Sequence, residues 1–193
     1  MDRASASGPL KLGLYVHVPF CARRCEFCAF YERAPKRADI DRYLCGAQRE
    51  LDTLKPPRHV DTVFWGGGTP GLLLPADMER LGRATLDACG GPPQEWTVEM
   101  TPGTMRKERL EMLRSMGVNR ISMGVQSFDE RILEALGRMH SREQVFTAID
   151  AARAAGFDNL NIDMMFALPG QSFEQWETDL REAIATGPEH IST

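Results

Sequence analysis

Short β-like runs alternate with amphipathic helical segments along almost the whole chain. The runs are rich in β-branched and aromatic residues and lie at 13–18, 61–65, 96–100, 120–125 and 159–167. Between them apolar residues recur at helical spacing, most clearly in 39–54. Parallel strands need long crossover connections, so this alternation predicts an α/β fold built from βαβ units with one parallel sheet. Five units are complete, and residues 191–193 begin a sixth strand.

Helix ends can also be read from the sequence. Capping boxes predict two helix starts, at Ser141 with Gln144 and at Ser172 with Gln175. Two helices are expected to end at a glycine in the left-handed conformation, at Gly117 and Gly156. After each of these glycines come a hydrophobic residue, an Asx and then a strand. The same layout begins a third time in TGPEHIST at residues 186–193.

Charge and hydropathy exclude some classes of function. The chain has 23 basic and 27 acidic residues in a mixed distribution, with a net charge of -4, so a nucleic-acid partner is not expected. No run approaches the roughly 18 apolar residues of a membrane helix, and residues 1–10 lack the apolar segment of a signal peptide. We therefore predict a cytoplasmic protein, in which thiols are kept reduced.

Three of the five cysteines, Cys21, Cys25 and Cys28, directly follow the first predicted strand. Ligands in parallel α/β folds bind at the carboxyl ends of strands, so a site is expected here. Thiols this close can serve zinc, a disulfide or an iron–sulfur cluster. Zinc would need a fourth ligand, for which His17 is the nearest candidate, although the alternating strand pattern favours His17 as a hydrogen-bonded core residue. Three thiolates on a cubane cluster would leave one iron open to a substrate or cofactor.

Glycine-rich or polar segments follow the other predicted strands. In WGGGTP, Gly67, Gly68 and Thr69 could let a ligand approach the backbone, although such runs are also ordinary in loops. Four further polar residues lie at or near strand ends: Glu99, Gln126, Arg138 and Asp163. Glu99 could equally be an exposed carboxylate. Asp163 lies between two apolar residues and needs a partner, for which a neighbouring backbone amide is one candidate.

Several of these segments resemble a known family. CxxxCxxC after the first strand, with Phe27 before the last cysteine, resembles the signature of radical S-adenosylmethionine (SAM) enzymes. LYVHVPFCARRCEFC, WGGGTP, EMTP, RISMGVQSF, LGRMH and NIDMMFALPGQ are similar, in this order, to the oxygen-independent coproporphyrinogen III oxidase family. The resemblance runs from about residue 14 to 193. It implies a partial (β/α)6 TIM-type barrel, truncated here at the sixth strand.

The resemblance implies roles for individual residues. Cys21, Cys25 and Cys28 would ligate a [4Fe-4S] cluster, and SAM would chelate its unique iron and be cleaved to a 5′-deoxyadenosyl radical. The other implied contacts are Tyr15 and Phe27 near SAM, Gly67, Gly68 and Thr69 at its methionine end, Glu99 at its ribose, and Gln126, Arg138 and Asp163 at SAM or a second SAM near the substrate. Cys45 and Cys89 are interpreted as plain thiols.

Phe30 helps to distinguish two branches of this family. The oxidase branch has a further cysteine at this position, whereas the heme chaperone (HemW-like) branch has an aromatic residue, together with GVQSF and LGRxH. The resemblance therefore favours a heme chaperone that transfers heme to acceptor proteins. Two alternatives stay open: an oxidase that converts coproporphyrinogen III to protoporphyrinogen IX, and a truncated domain with only a structural metal site.

The same resemblance implies partners. These are heme or a porphyrin, a heme-acceptor protein and an electron donor, with membrane contact only through the acceptor. A homodimer through the open sheet edge is a further candidate. His140 is the candidate heme ligand, while the methionines at 116, 123, 164 and 165 are predicted to fill the core.

Two departures from the family concern Ala167 and length. Ala167 stands where the family has glycine, which matters only if the backbone there needs a positive φ. Family members also continue well beyond this length and add a C-terminal domain. We therefore expect residues 1–193 to be one radical SAM core domain, with residues 1–12 disordered and the family's C-terminal part absent.

Overall fold

The computed structural model describes residues 11–54 and 59–193, which form one six-stranded sheet. The strands are β1 (Gly13–Val18), β2 (Thr62–Gly67), β3 (Glu95–Met100), β4 (Arg120–Gln126), β5 (Leu160–Met164) and β6 (His190–Ser192). All neighbours are parallel and follow chain order, and the sheet is open rather than closed. The predicted α/β fold is confirmed, and the open sheet fits a partial TIM-type barrel.

Helices connect the strands as the alternation predicted. They are α1 (Arg37–Thr53), α2 (Pro75–Cys89), α3 (Lys107–Ser115), α4 (Glu130–Ala135), α5 (Arg142–Ala154) and α6 (Phe173–Ala185). Of the segment 1–12 predicted to be disordered, residues 1–10 lie outside the described residues. Leu12 donates its N–H to the Asp61 carboxylate at 2.7 Å.

Helix ends follow the local signals. Both predicted capping boxes are confirmed, at the starts of α5 and α6. The predicted left-handed glycines are also confirmed, with φ of 99° at Gly117 and 84° at Gly156, and the third copy of the layout has φ of 68° at Gly187. Asn119, the Asx of the first copy, accepts the Trp96 N–H at 2.8 Å and so joins the turn to β3. These local signals therefore place each following strand in the sheet.

Two strand ends differ from the sequence prediction by two or more residues. β2 continues through Gly66 and Gly67, because β1 still pairs with both residues. β5 ends at Met164, three residues early, and Ala167 beyond it has a φ of 56° that no regular strand allows. Ala167 therefore has the positive φ for which the family's glycine would be better suited.

The core lies between the sheet and the helices. Trp65 of β2 and Trp96 of β3 are fully buried and pack edge to face, with ring centroids 5.3 Å apart. Met123 and Met164 are buried in the same core, as predicted for these two methionines. Within residues 11–54 and 59–193, no helix has the length and apolar character needed to cross a membrane.

Candidate functional site

One cavity of about 460 Å³ opens at the carboxyl ends of the strands. It collects eleven of the twelve residues predicted for a cofactor or a metal: Cys21, Cys25, Phe27, Cys28, Gly67, Gly68, Thr69, Glu99, Gln126, Arg138 and Asp163. These residues come from β2, β3, β4 and β5 themselves and from the segments that follow β1, β2 and β4. The parallel topology brings them together, because all strand carboxyl ends lie at the same edge of the sheet.

The twelfth residue, Tyr15, does not line the cavity. Its ring stacks on Phe64 with centroids 6.0 Å apart, and its hydroxyl lies 3.4 Å from Nδ1 of His17. Nε2 of His17 donates to the carbonyl of Tyr31 at 3.0 Å. His17 is therefore hydrogen-bonded on both ring nitrogens, as expected for a structural residue rather than for a fourth metal ligand.

The loop that carries the three cysteines is held at its ends by backbone bonds. The Cys21 N–H donates to the Arg33 carbonyl at 3.0 Å, and the Cys28 N–H donates to the Cys25 carbonyl at 3.1 Å. The Glu26 N–H donates to the Leu136 carbonyl at 3.2 Å, which joins the loop to the end of α4. All three thiols are free and half-buried. In the described part of the chain no three His, Cys, Asp or Glu side chains converge as a single metal ion would require.

Burial raises the pKa of the Cys21 thiol. The hydroxyl of Thr69, 3.8 Å from Cys21 Sγ, acts in the opposite direction, while the charge of Glu32 and the two other thiols raise the pKa further. A metal competes with the proton for a thiolate, so a positively charged iron would favour the ionised form that ligation needs. Thr69 thus touches the predicted cluster ligand directly.

The three glycines at the end of β2 and directly after it are required by the packing of the protein itself. A Cβ on Gly68 would lie 2.8 Å from the backbone of Phe20 and Val18, and a Cβ on Gly66 would lie 2.7 Å from the Glu99 carboxylate. Gly67 has a φ of 104°, and a Cβ there would overlap the His17 ring. Close packing within the protein therefore requires glycine at these three positions.

Glu99 is the last residue but one of β3, and its side chain lines the cavity. Burial raises the pKa of Glu99, the hydrogen bond from the Gly67 N–H lowers it, and the nearby charge of Asp163 raises it again. Burial and the charge of Glu99 in turn raise the pKa of Tyr15. Glu99 is therefore not the freely exposed carboxylate of the alternative interpretation.

Asp163 has side-chain partners rather than a backbone amide. It accepts from the Ser122 hydroxyl at 3.1 Å and from the Asn161 side-chain amide at 2.7 Å. The sequence predicted that Asp163 needs a partner, and two side chains of the sheet provide it. Gln126, at the end of β4, has a φ of 74°, an unusual conformation for a residue other than glycine.

Arg138 joins β4 to the cysteine loop. Its Nη2 donates to the Gly124 carbonyl, and its Nη1 lies 3.5 Å from Cys25 Sγ. Its Nε is buried without a partner. Arg138 thus lines the cavity and also keeps one buried donor that no group of the described residues accepts.

Sequence reasoning missed several residues of the cavity. Thr101 and Thr104 line it after β3, where they form a capping box across the turn Pro102–Thr104. Asp179 of α6 does not line the cavity, but it accepts from Ser127 and from the Phe128 N–H, so it holds the loop after Gln126. The T-x-x-T spacing is a signal for the first pair, whereas nothing local signals Asp179.

His140 also lines the cavity, next to Arg138. Its Nε2 donates to the Val125 carbonyl at 3.2 Å, and the side chain is only 8% exposed. Burial, and then the charge of Arg138, lower the pKa of His140 to about 4. As a candidate heme ligand, His140 has only Nδ1 free of this hydrogen bond.

Comparisons with known proteins agree with the resemblance. The family described as the Radical SAM superfamily matches residues 15–183. The heme chaperone HemW of Escherichia coli (strain K12) is 39% identical over 188 residues, which cover 94% of this chain and 49% of that protein. The heme chaperone HemW of Bacillus subtilis (strain 168) is 35% identical over 184 residues, covering 92% and 48%. This chain thus spans about half the length of these curated relatives.

Solved structures give the same result. The coproporphyrinogen III oxidase (HemN) from Escherichia coli, described as a radical SAM enzyme, has a TM-score of 0.84 at 32% identity, covering 94% of this chain and 44% of that chain. Streptococcus suis SuiB bound to S-adenosylmethionine has a TM-score of 0.61 at 18% identity, covering 94% and 40%. The second likeness concerns the fold alone.

Proposed function

Because this chain belongs to the radical SAM superfamily, we propose that its cavity binds a [4Fe-4S] cluster and SAM. The observation that carries the proposal is the presence of three free thiols in one cavity at the carboxyl ends of the strands. Thiolates are the usual protein ligands of iron–sulfur clusters, so the donor set fits the group. When bound, the cluster and SAM together supply one-electron chemistry that the side chains themselves lack.

The protein's own residues would bind and orient. Cys21, Cys25 and Cys28 would hold the cluster through their thiolates, and Thr69 would hydrogen-bond Cys21. Glu99 offers an acceptor-only carboxylate suited to ribose hydroxyls, already oriented by the Gly67 N–H. Three residues predicted for SAM or a second SAM, Gln126, Arg138 and Asp163, lie in the same cavity and support the same proposal.

We further propose that the protein is a heme chaperone, which binds heme and passes it to an acceptor protein. Two HemW relatives of 35% and 39% identity support this function. So does the mouth of the cavity, where Phe27, Phe30 and Met139 are 40%, 66% and 70% exposed. Exposed apolar side chains around a cavity offer a surface for a flat, largely apolar porphyrin.

A second candidate is the oxidation of coproporphyrinogen III. The TM-score of 0.84 with the Escherichia coli oxidase favours it. Phe30 disfavours the oxidase function, because the resemblance implies a cysteine at position 30 in the oxidase branch. Both candidates need an electron donor and a heme or porphyrin, and we propose these as partners. For the chaperone we also propose an acceptor protein and a homodimer. A cytoplasmic location is proposed too, since cluster ligation needs reduced thiols.

Anaerobic reconstitution with iron and sulfide tests the cluster. We expect a brown protein that loses its cluster in Cys21→Ala, Cys25→Ala and Cys28→Ala, whereas the matched controls Cys45→Ala and Cys89→Ala keep it. A colourless reconstituted protein, or equal loss in the controls, would contradict the cluster proposal. Equilibrium dialysis with SAM then tests the cofactor.

Incubation with SAM, dithionite and coproporphyrinogen III, followed by mass spectrometry, separates the two functions. The chaperone predicts no decarboxylated porphyrin, together with heme binding by the same preparation and transfer of heme to an apo-acceptor. Formation of protoporphyrinogen IX would make the oxidase the correct function.

A further inference from the structure

The turn after α4 contacts the cysteine loop although more than a hundred residues separate them in sequence. Leu136 accepts the Glu26 N–H at 3.2 Å, and Gly137 takes a φ of 70°, which lets the chain reverse directly beside this contact. The next residue is Arg138. The turn therefore brings a guanidinium against the loop that is proposed to hold the cluster.

Two anchors determine the position of Arg138. Nη2 donates to the carbonyl of Gly124 in β4, so the side chain is tied to the sheet. Nη1 lies 3.5 Å from Cys25 Sγ, within the range of a hydrogen bond to sulfur. The planar guanidinium can make both contacts at once, which a lysine ammonium at the end of a flexible stem would not reproduce.

Hydrogen bonds to ligand sulfurs help to set the reduction potential of an iron–sulfur cluster. A reduced cluster carries one more negative charge than an oxidised one. A guanidinium carries a positive charge, so it stabilises the reduced form more strongly than the oxidised form. A donor held at Cys25 Sγ in a half-buried site is screened less by water than a surface charge.

We propose that Arg138 is a positioning residue that raises the reduction potential of the cluster through its hydrogen bond to Cys25 Sγ. This inference rests on the proposed function, because it needs a cluster on the three cysteines. It differs from a contact with SAM, since it acts when SAM is absent.

Redox titration of the reconstituted protein without SAM, followed by electron paramagnetic resonance of the reduced cluster, tests the proposal. We expect Arg138→Met to have a more negative midpoint potential than the unaltered chain. Arg138→Lys keeps the charge but not the double contact, so its midpoint should lie between the two. Arg24→Met is the matched control, because it removes the same charge from an exposed position in the cysteine loop. It should shift the potential much less.

The outcomes are distinct. If the unaltered chain takes up no cluster, the proposed function and this inference are both wrong. If it holds a cluster and Arg138→Met has the same midpoint potential, only the inference is overturned. Equal shifts in Arg138→Met and Arg24→Met would overturn it as well, since net charge would then explain both. Should Arg138→Met fail to hold a cluster, Arg138→Gln replaces it under the same criteria.

Discussion

The carboxylate of Glu99 accepts a hydrogen bond from the backbone N–H of Gly67 at 3.0 Å. Two residues predicted to contact SAM therefore contact each other across neighbouring strands. The bond fixes one carboxylate oxygen at the cavity and leaves acceptor capacity for a ligand. The same carboxylate lies only 2.7 Å from the position that a Cβ on Gly66 would take, so this side chain needs glycine at position 66.

Replacing Glu99 by glutamine should increase stability at neutral pH. Burial raises the pKa of Glu99 above its ordinary value of 4.5, so the folded state binds the proton more tightly than the unfolded state. Stability from this group is therefore lost as pH rises from about 4.5 through the raised pKa. Glu99→Gln cannot ionise and still accepts from Gly67. Urea unfolding should show its advantage over the unaltered chain growing between pH 4.5 and neutral pH.

Glu134→Gln, at an exposed position on α4, is the control and should show no such growth. An advantage for Glu99→Gln that stays constant or shrinks as pH rises would contradict the prediction.

Acid should destabilise the fold partly through His140. The pKa of His140 is lowered from 6.5 to about 4, first by burial and then by Arg138, so the unfolded state takes up the proton more readily. The stability present above pH 6.5 is lost as pH falls toward 4, by on the order of 3 kcal/mol. His140→Gln can donate to Val125 without titrating. Chemical unfolding from pH 7 to 4 should therefore show a smaller loss in His140→Gln than in the unaltered chain.

The exposed His59 gives a matched control for this comparison. His59→Gln should follow the unaltered chain over the whole pH range. Equal acid sensitivity of His140→Gln and the unaltered chain would show that His140 does not contribute.

Removing the carboxylate of Asp179 should destabilise the loop after β4. Asp179 accepts from the Ser127 hydroxyl at 2.5 Å and from the Phe128 N–H at 2.8 Å, and all three residues are buried. Asp179→Ala leaves two buried donors unpaired, so we expect a loss of about 2 to 3 kcal/mol in urea unfolding. Asp158→Ala, at an exposed position, should lose less than about 0.5 kcal/mol. Similar stabilities of the two variants would refute the prediction.

Glycine at position 167 should stabilise the protein. Ala167 is exposed and has a φ of 56°, a conformation that costs an L-residue roughly 1 to 2 kcal/mol. Glycine avoids this strain but gains freedom in the unfolded chain, so the net gain should be roughly 0.5 to 1 kcal/mol. Ala47→Gly inside α1, where the backbone is helical, should instead cost about 1 kcal/mol. Thermal unfolding compares the two, and a loss of stability in Ala167→Gly would be the contrary result.

The sequence by itself determined the order of strands and helices and most of the candidate site. Capping boxes and left-handed glycines act within a few residues, so signals such as Ser141 with Gln144 or Gly156 can be read without any tertiary information. The cavity followed from the same reasoning, because the parallel topology brings every strand carboxyl end to one edge. The spacing of Cys21, Cys25 and Cys28 is also local, because the three residues lie within eight positions of the sequence.

Only the tertiary structure decided which side chains meet. Arg138 reaches Cys25, and Asp179 holds Ser127, across 113 and 52 residues of sequence. Asp163 is paired with Ser122 through the register of β4 and β5, while Tyr15 packs on Phe64 outside the cavity. Such contacts depend on strand register, loop path and the space left by neighbouring side chains, which no local pattern encodes.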